Sequence, residues 1–212
     1  MTVHNAGAFS RQNVTPLPLT VPGSRFQPVT LYGAGAEIYG QGEKAGTIYQ
    51  VEFGAVRVYR LLADGRRQIS AFHLADEFFG FESDASHHFF AEALCATGLR
   101  TVRQTPGTDQ SQQLLPLVLK SFVRAQEHLL LLGRQNAAER VAAFLLDMSD
   151  RQGGLDTIDL PMSRTDIGDY LGLTIETVSR VISSFRSKEI IRLRSQRTVE
   201  VLKPKALRGM SE

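Results

Sequence analysis

Between residues 29 and 105 the hydrophobic positions occur in short runs. β-branched and aromatic residues predominate in such runs, for example at residues 47–51 and 55–59. Glycines separate the runs, and the Ala-Asp-Gly sequence at residues 63–65 has the composition of a tight hairpin turn. Evenly spaced short strands joined by glycine turns are typical of a small antiparallel barrel or jelly roll. We therefore predict a β-roll over residues 26–110.

At Ser111 the spacing of hydrophobic positions changes to three and four residues, which is typical of an amphipathic helix. Pro116 lies near the expected start of this helix, where a first turn tolerates proline. One interpretation is a helix packed only on its own β-roll. The hydrophobic surface is wider than one partner would cover, however, so we predict that residues 111–137 pair with a second copy as a parallel homodimer. The predicted dimer contacts are Leu115, Val118, Phe122, Ala125, Leu129, Leu132 and Asn136.

Two short helical patterns joined by a tight connection follow at residues 163–186. Ser163 can cap the first helix together with Asp166. Gly172 permits the turn between the helices, and Thr174 can cap the second. This arrangement is typical of a helix-turn-helix, in which the start of the second helix meets base edges in the major groove of DNA. The spacing predicts that Ile175, Val178, Ile182 and Phe185 face inward and that Glu176, Ser179, Arg180, Ser183 and Arg186 face outward.

Glu176 and Arg180 have the side-chain chemistry to recognise one base pair. An arginine can donate two hydrogen bonds to guanine O6 and N7, and a carboxylate can accept one from cytosine N4. The four-residue spacing also permits an intrahelical salt bridge, which is the alternative interpretation. A carboxylate at the DNA-facing start of a helix would repel phosphate unless it contacted a base, so we favour base recognition. The predicted base contacts are Glu176, Ser179 and Arg180.

Positive charge is concentrated near the C-terminus, although the net charge of the 212-residue chain is only +2. Residues 180–208 contain nine basic and two acidic residues. Within this segment, residues 190–194 and 198–202 have the pattern of a two-stranded wing whose arginines reach DNA phosphates. A solvated basic tail is the alternative. We predict a winged helix-turn-helix over residues 138–212. The predicted DNA backbone contacts are Ser163, Arg164, Thr174, Thr177, Arg186 and Arg197.

Three segments of the sequence resemble the CRP/FNR superfamily of bacterial transcription regulators. Residues 168–180, Gly-Asp-Tyr-Leu-Gly-Leu-Thr-Ile-Glu-Thr-Val-Ser-Arg, are similar to its FNR-type DNA-reading signature. Residues 136–144 are similar to the stretch that leaves the family's dimer helix, and residues 54–68 to the β-roll of its FNR and FixK branch. The expected fold is α+β: an N-terminal antiparallel β-roll (jelly roll), a long dimerisation helix and a C-terminal winged helix-turn-helix. The resemblance also implies a homodimer that binds double-stranded DNA at a palindrome with TTGA-like half-sites and recruits RNA polymerase.

Departures from the family pattern indicate how this chain is controlled. Residues 80–91 correspond to the phosphate-binding cassette of members that bind cyclic nucleotides, and they contain no arginine or lysine. Burying a phosphate there without a cation would be costly, so we predict no cyclic nucleotide binding. Residues 1–30 contain no cysteine, so the iron–sulfur cluster of the oxygen-sensing branch has no ligands there. The FixK-like branch remains, which is associated with nitrogen fixation and oxygen limitation. We expect an activator without a cofactor, controlled through its abundance or by modification.

The remaining features are an N-terminal arm, a single cysteine and a histidine pair. Residues 1–25, which contain several prolines, are predicted to be an irregular arm. Cys95 lies in a β-type run and is interpreted as a buried, unreactive thiol. The pair His87 and His88 is interpreted as structural, because adjacent histidines seldom bind one metal ion, and no metal is assigned.

The sequence contains no enzyme motif and no hydrophobic stretch long enough to span a membrane, so we expect a cytoplasmic protein that is not an enzyme. The alternative function is the same regulator gated by a small effector in the β-roll, near the phenylalanine-rich residues 78–90.

Overall fold

The structure is a computed structural model that describes residues 28–102, 111–134 and 136–211. The strands in the first of these ranges are β1 (Thr30–Tyr32), β2 (Glu37–Tyr39), β3 (Ile48–Phe53), β4 (Val56–Leu61), β5 (Arg67–His73), β6 (Phe78–Phe79), β7 (Phe90–Ala93) and β8 (Thr97–Val102). They form two four-stranded antiparallel sheets in the orders β1-β8-β3-β6 and β2-β7-β4-β5. This architecture confirms the predicted antiparallel β-roll. The predicted arm at residues 1–25 lies outside the described residues.

The interior of the roll is built from hydrophobic residues of both sheets. Val51, Val56, Ala91 and Leu99 are buried between the two sheets, and in β4 and β7 buried residues alternate with more exposed ones. β4 and β5 form the longest hairpin, and its turn lies where the sequence predicts it. Gly65 has a φ of 81° there, which a side chain would strain.

A long helix, α1 (Ser111–Leu132), follows the roll. Because the helix begins at Ser111, Pro116 lies in its second turn, and the expectation of a first-turn proline is wrong. Leu131 and His128 are buried against the rest of the chain, and His128 Nε2 donates a 2.7 Å hydrogen bond to the Tyr170 carbonyl. The described residues leave a wide hydrophobic surface of α1 uncovered. Its exposed residues are Leu115, Val118, Leu119, Phe122, Val123, Ala125, Leu129 and Leu130, and Leu132 is half-buried beside them.

The C-terminal part of the chain packs a three-stranded sheet against short helices. Its elements are α2 (Ala137–Arg151), β9 (Thr157–Asp159), α3 (Arg164–Leu171), α4 (Ile175–Ser187), β10 (Ile191–Leu193), β11 (Thr198–Val201) and α5 (Pro204–Gly209). The sheet order is β10-β11-β9, so the predicted wing is the β10–β11 hairpin. Asn136, which the sequence suggests as a dimer contact, caps α2 and accepts a 2.9 Å hydrogen bond from the Glu139 N–H.

The β-roll and the C-terminal domain share one hydrophobic core. Phe72 of β5 lies against Phe144 of α2 and Tyr170 of α3, with ring centroids 6.3 and 5.1 Å apart, respectively. All three aromatic residues are buried. The helix-turn-helix is therefore packed on the roll rather than tethered to it by a linker.

Candidate nucleic-acid interface

Local caps and two glycines shape the turn between α3 and α4. The Ser163 hydroxyl accepts a hydrogen bond from the Asp166 N–H at 3.1 Å, and the Asp166 carboxylate accepts one from the Ser163 N–H at 2.9 Å. Gly172 ends α3 with a φ of 63°, as the sequence suggests. Gly168 was not identified from the sequence but is also required, since a Cβ atom there would lie 2.7 Å from the Leu173 carbonyl oxygen. The two helices consequently pack closely enough to form a rigid unit.

The helix α4 buries one face and presents the start of the other to solvent. Val178, Ile182 and Phe185 are buried, as predicted. Ile175, in contrast, is 43% exposed, so the prediction that it faces inward is wrong. It is the first residue of α4, and its neighbours Thr174 and Glu176 are exposed as well. The first turn of α4 thus projects from the domain. A side chain there stays exposed even when helical spacing places it on the same side as the buried residues.

The outward face of α4 brings the predicted base contacts together. Glu176, Ser179 and Arg180 are all exposed, as are Ser183 and Arg186 farther along the helix. Arg180 Nη2 donates a 3.4 Å hydrogen bond to the Thr177 hydroxyl. The pKa of Glu176 is lowered by hydrogen bonds from its own N–H and from the Thr174 hydroxyl, and to a smaller extent by Arg180. The carboxylate is therefore an ionised acceptor at neutral pH.

The predicted DNA backbone contacts are hydroxyls at the helix N-termini, one half-buried arginine and two exposed arginines. The hydroxyls of Ser163 and Thr174 cap the two helices, and Thr177 lies 3.2 Å from Thr174 through their hydroxyl oxygens. Arg164 is half-buried, and its Nη1 has no hydrogen-bond partner among the described residues. Burial lowers the pKa of this guanidinium. Arg186 and Arg197 are exposed.

The wing has less free positive charge than its arginine content suggests. Arg192 and Arg194 of the β10–β11 hairpin both pair with Glu200, at 3.1 and 2.7 Å. Arg197, in the turn of the same hairpin, is exposed, and its backbone N–H donates a 3.0 Å hydrogen bond to Ser195 Oγ. Among these three arginines, Arg197 is thus the one best available for a phosphate.

Comparisons with known proteins place this fold in a family. Residues 139–210 match the model of the Crp-like helix-turn-helix domain, and residues 29–99 match that of the cyclic nucleotide-binding domain. The nitrogen fixation regulation protein FixK of Rhizobium meliloti (strain 1021) is 50% identical over 199 residues, which cover 94% of this chain and 92% of that protein. This chain belongs to the CRP/FNR family of transcription regulators, in its FixK-like branch. Among solved structures, FixK2 from Bradyrhizobium japonicum is similar, with a TM-score of 0.82, 42% sequence identity, and coverage of 88% of this chain and 98% of that one. The fumarate and nitrate reduction regulatory protein of Vibrio cholerae is 35% identical over 175 residues, which cover 76% of this chain and 70% of that protein. These relatives are regulators and not enzymes, in agreement with the prediction.

In this FixK-like regulator, aromatic rings and an acidic cluster occupy the segment that corresponds to the phosphate-binding cassette. His87 is buried and stacks on Tyr39, with ring centroids 3.6 Å apart. Glu82 lies 3.2 Å from His87 Nδ1 and 2.8 Å from His88 Nδ1, and His88 Nε2 lies 3.0 Å from Asp84. Within the described residues, no three histidine, cysteine or acidic side chains are grouped as metal ligands would be. The histidines are accordingly bonded to carboxylates of the same segment.

Two other sequence interpretations of this FixK-like regulator concern the burial of Cys95 and membrane-spanning helices. Cys95 is only partly buried, with Sγ 4.0 Å from Thr97 Oγ1, so the interpretation of Cys95 as a buried thiol is wrong. It follows β7 at the edge of the core shared by the two domains. None of the helices among the described residues combines the length and hydrophobicity needed to cross a membrane.

Proposed function

We propose that this FixK-like regulator is a homodimer that binds a palindrome with TTGA-like half-sites and activates transcription by recruiting RNA polymerase. It acts on chromosomal DNA and hence in the cytoplasm. The observation on which the proposal rests is the exposed group formed by Glu176, Ser179 and Arg180 at the projecting start of α4. The coarser conclusion, a transcription regulator with a helix-turn-helix DNA-binding domain, follows from its family.

Each residue of this group has a distinct role in the proposal. Arg180 donates two hydrogen bonds to the guanine of TTGA, and Glu176 accepts one from the paired cytosine. Because Arg180 is held by a long bond to Thr177 rather than by Glu176, its guanidinium is free to turn toward a base. Ser179 lies between them on the same face and contacts a neighbouring base. The exposed Ile175 suits a thymine methyl group, which is the apolar feature of the major groove.

Backbone contacts hold α4 in register in this proposal. The hydroxyls of Ser163, Thr174 and Thr177 lie at the N-termini of α3 and α4, where unpaired N–H groups favour phosphate. Arg164 is beside the first of these N-termini and Arg186 is on the outward face of α4. Arg197 extends the contact to the wing. Such contacts position the protein without selecting a sequence.

The uncovered surface of α1 supports the homodimer. Leu115 is 56% exposed, Phe122 57% and Leu129 68%, and they recur at helical spacing along one side of α1. A row of large hydrophobic side chains in solvent is costly unless another subunit covers it. A second copy is the natural occupant, since two parallel helices would place two α4 helices against the two halves of a palindrome. The proposed contacts on α1 are Leu115, Val118, Phe122, Ala125, Leu129 and Leu132. Asn136, which is exposed and caps α2 just beyond α1, is the last proposed contact.

Binding without cyclic nucleotide is supported by the chemistry of residues 80–91. The carboxylates of Glu82 and Asp84 lie in this segment, which contains no arginine or lysine to pair with a phosphate, and His87 is stacked on Tyr39 and bonded to Glu82. We also propose that no iron–sulfur cluster is needed. DNA affinity should therefore be equal in aerobic and anaerobic samples at the same protein concentration, and a large difference would contradict this part of the proposal. The alternative, gating by a small effector in the β-roll, would appear as ligand-dependent thermal stabilisation.

The test is the selection of binding sites from random duplex DNA by the purified protein. We expect inverted TTGA-like half-sites to be enriched. Arg180→Ala should then reduce affinity for the selected site and relax the choice at the guanine. Enrichment of unrelated sequences, or of single half-sites without an inverted repeat, would overturn the proposal.

A further inference from the structure

Two arginines of the β-roll reach the first helix of the helix-turn-helix. Arg57 Nη1 in β4 and Arg67 Nη2 in β5 each lie 2.6 Å from Asp166 Oδ1 in α3. Asp166 is only 2% exposed, although it belongs to the DNA-binding domain. We call these three residues the interdomain junction.

The junction is coupled directly to the N-terminal cap of α3. While Asp166 Oδ1 accepts from both arginines, its Oδ2 accepts from the Ser163 N–H at 2.9 Å and from the Ser163 hydroxyl at 2.7 Å. The four acceptor positions of the carboxylate are thus in use. One side chain therefore ties the start of α3 to two strands of the other domain, and a rotation of α3 relative to the roll would break these bonds.

Neighbouring groups hold the two arginines in place. Arg57 Nη2 also pairs with Glu92 of β7 at 2.6 Å, and Arg67 Nε and Nη2 pair with Asp169 of α3 at 3.0 and 2.9 Å. Both guanidinium groups lie over the Tyr59 ring, at 5.8 and 5.5 Å from its centroid. The arginine side chains are only 16% and 23% exposed, so salt screens these pairs less than it screens surface pairs.

The position of α3 determines the position of α4. Gly168 allows the two helices to touch at the turn. The residues proposed to read DNA are exposed, and within the described part of the chain they make no contact that would attach α4 to the β-roll. In a dimer bound to a palindrome, the two reading helices must lie about 34–36 Å apart, one turn of DNA. Changing the DNA spacer by one base pair alters this distance by about 3.4 Å. A protein whose reading helices are held rigidly should therefore tolerate few spacer lengths.

We infer that Arg57, Arg67 and Asp166 are positioning residues for DNA recognition, which fix the angle and separation of the two α4 helices by holding α3 on the β4–β5 hairpin. This inference rests on the proposed binding of a homodimer to a palindrome. It assigns to the β-roll a part in setting half-site spacing, in addition to any part in control.

The test compares duplexes that carry two inverted half-sites separated by spacers that increase one base pair at a time. The measured quantity is the ratio of dissociation constants between the preferred spacer and its neighbours. We expect the wild type to discriminate sharply and the double variant Arg57→Gln/Arg67→Gln to lose about fivefold to tenfold of that discrimination. Arg60→Gln/Arg66→Gln is the matched control, because it also removes two positive charges from the same hairpin, both at exposed side chains, and Arg66 pairs only with the exposed Asp64 among the described residues. It should keep the wild-type ratio.

A ratio separates positioning from loss of folded protein, because partial unfolding lowers the affinity for every duplex by the same factor. If the double variant keeps the wild-type ratio, the inference is wrong, whatever its absolute affinity. If the double variant does not fold, Arg67→Gln alone is measured by the same criterion, since it leaves the Arg57–Asp166 pair intact. A wild type that binds no inverted repeat would instead overturn the proposed function.

Discussion

The carboxylate of Glu77 offers the sharpest test of how the two domains are held together. It lies in the turn between β5 and β6 and is only 7% exposed. Arg151 of α2 donates to it from Nε at 3.1 Å and from Nη2 at 2.8 Å, and Arg124 of α1 lies 2.9 Å away. The Leu74 N–H donates a further hydrogen bond at 3.1 Å. A single buried anion thus joins the roll, the long helix and the DNA-binding domain.

The cost of removing this charge follows from what it leaves behind. Burial would raise the pKa of Glu77, but the charges and hydrogen bonds of Arg151 and Arg124 outweigh it and lower the pKa. Breaking a buried pair typically costs about 3–5 kcal/mol, because the remaining charge has lost its partner. In Glu77→Gln, Arg151 keeps Asp147 at 3.1 Å and the Phe72 carbonyl at 2.6 Å. We therefore expect the free energy of unfolding to fall by about 3 kcal/mol, at the lower end of that range.

The assay is urea unfolding at pH 7 with equal protomer concentrations, because dimerisation contributes to apparent stability. Glu52→Gln is the matched control: it removes the same charge from an exposed pair with Arg100, and its midpoint should stay near that of the wild type. Folded Glu77 stays ionised below the pH at which an unfolded glutamate takes up a proton. Its contribution should therefore be present above about pH 4.3 and be lost as the pH falls through the lower folded pKa. A loss in Glu77→Gln no larger than that in Glu52→Gln would refute the assignment.

Three further predictions concern DNA, the dimer and pH. Arg180→Ala should cost about 1–3 kcal/mol on a TTGA-type palindrome and relax selectivity at the guanine, whereas Arg197→Ala should weaken binding to all DNA alike and flatten the salt dependence; fluorescence anisotropy at several salt concentrations distinguishes the two. Phe122→Glu should yield monomers in sedimentation experiments, and Leu155→Glu, an equally exposed site away from α1, should not. Burial lowers the pKa of His73 to about 4, against a smaller opposing effect of Glu77, so the unfolded chain takes up a proton near pH 6.5 that the folded chain refuses. Stability should fall by about 3 kcal/mol between pH 6.5 and 4, and His73→Gln should remove this part of the pH profile.

The sequence predicts features that depend on short stretches of chain. The β-roll follows from short runs and glycine turns, and the capping box from Ser163 and Asp166, because each is determined by residues a few positions apart. The outward face of α4 is predicted for the same reason. Helical spacing alone places Glu176 and Arg180 opposite the buried Val178 and Ile182.

Features that depend on packing were not predictable in this way. The spacing of Ile175 matches the buried face, but burial also requires a neighbouring element, and none covers the first turn of α4 among the described residues. Gly168 looks like an ordinary helix residue until the turn brings the Leu173 carbonyl within 2.7 Å of its missing Cβ. Asn136 continues the helical spacing of the hydrophobic positions in α1, yet its side chain caps α2.

The interdomain junction shows the same limit over a longer range. Arg57 and Arg67 are 109 and 99 positions from Asp166, and in the sequence each has the appearance of a solvated strand residue. Their position also gives the alternative function a physical route. Glu92 directly follows the cassette segment 80–91 and pairs with Arg57, which pairs with Asp166, so one chain of charged groups connects β7 to the cap of α3. A ligand in the roll would change DNA binding only if it bound one arrangement of this chain more tightly than another. In the structure the carboxylates of Glu92 and Asp166 are both bonded, so such a ligand would have to break or replace at least one of these bonds.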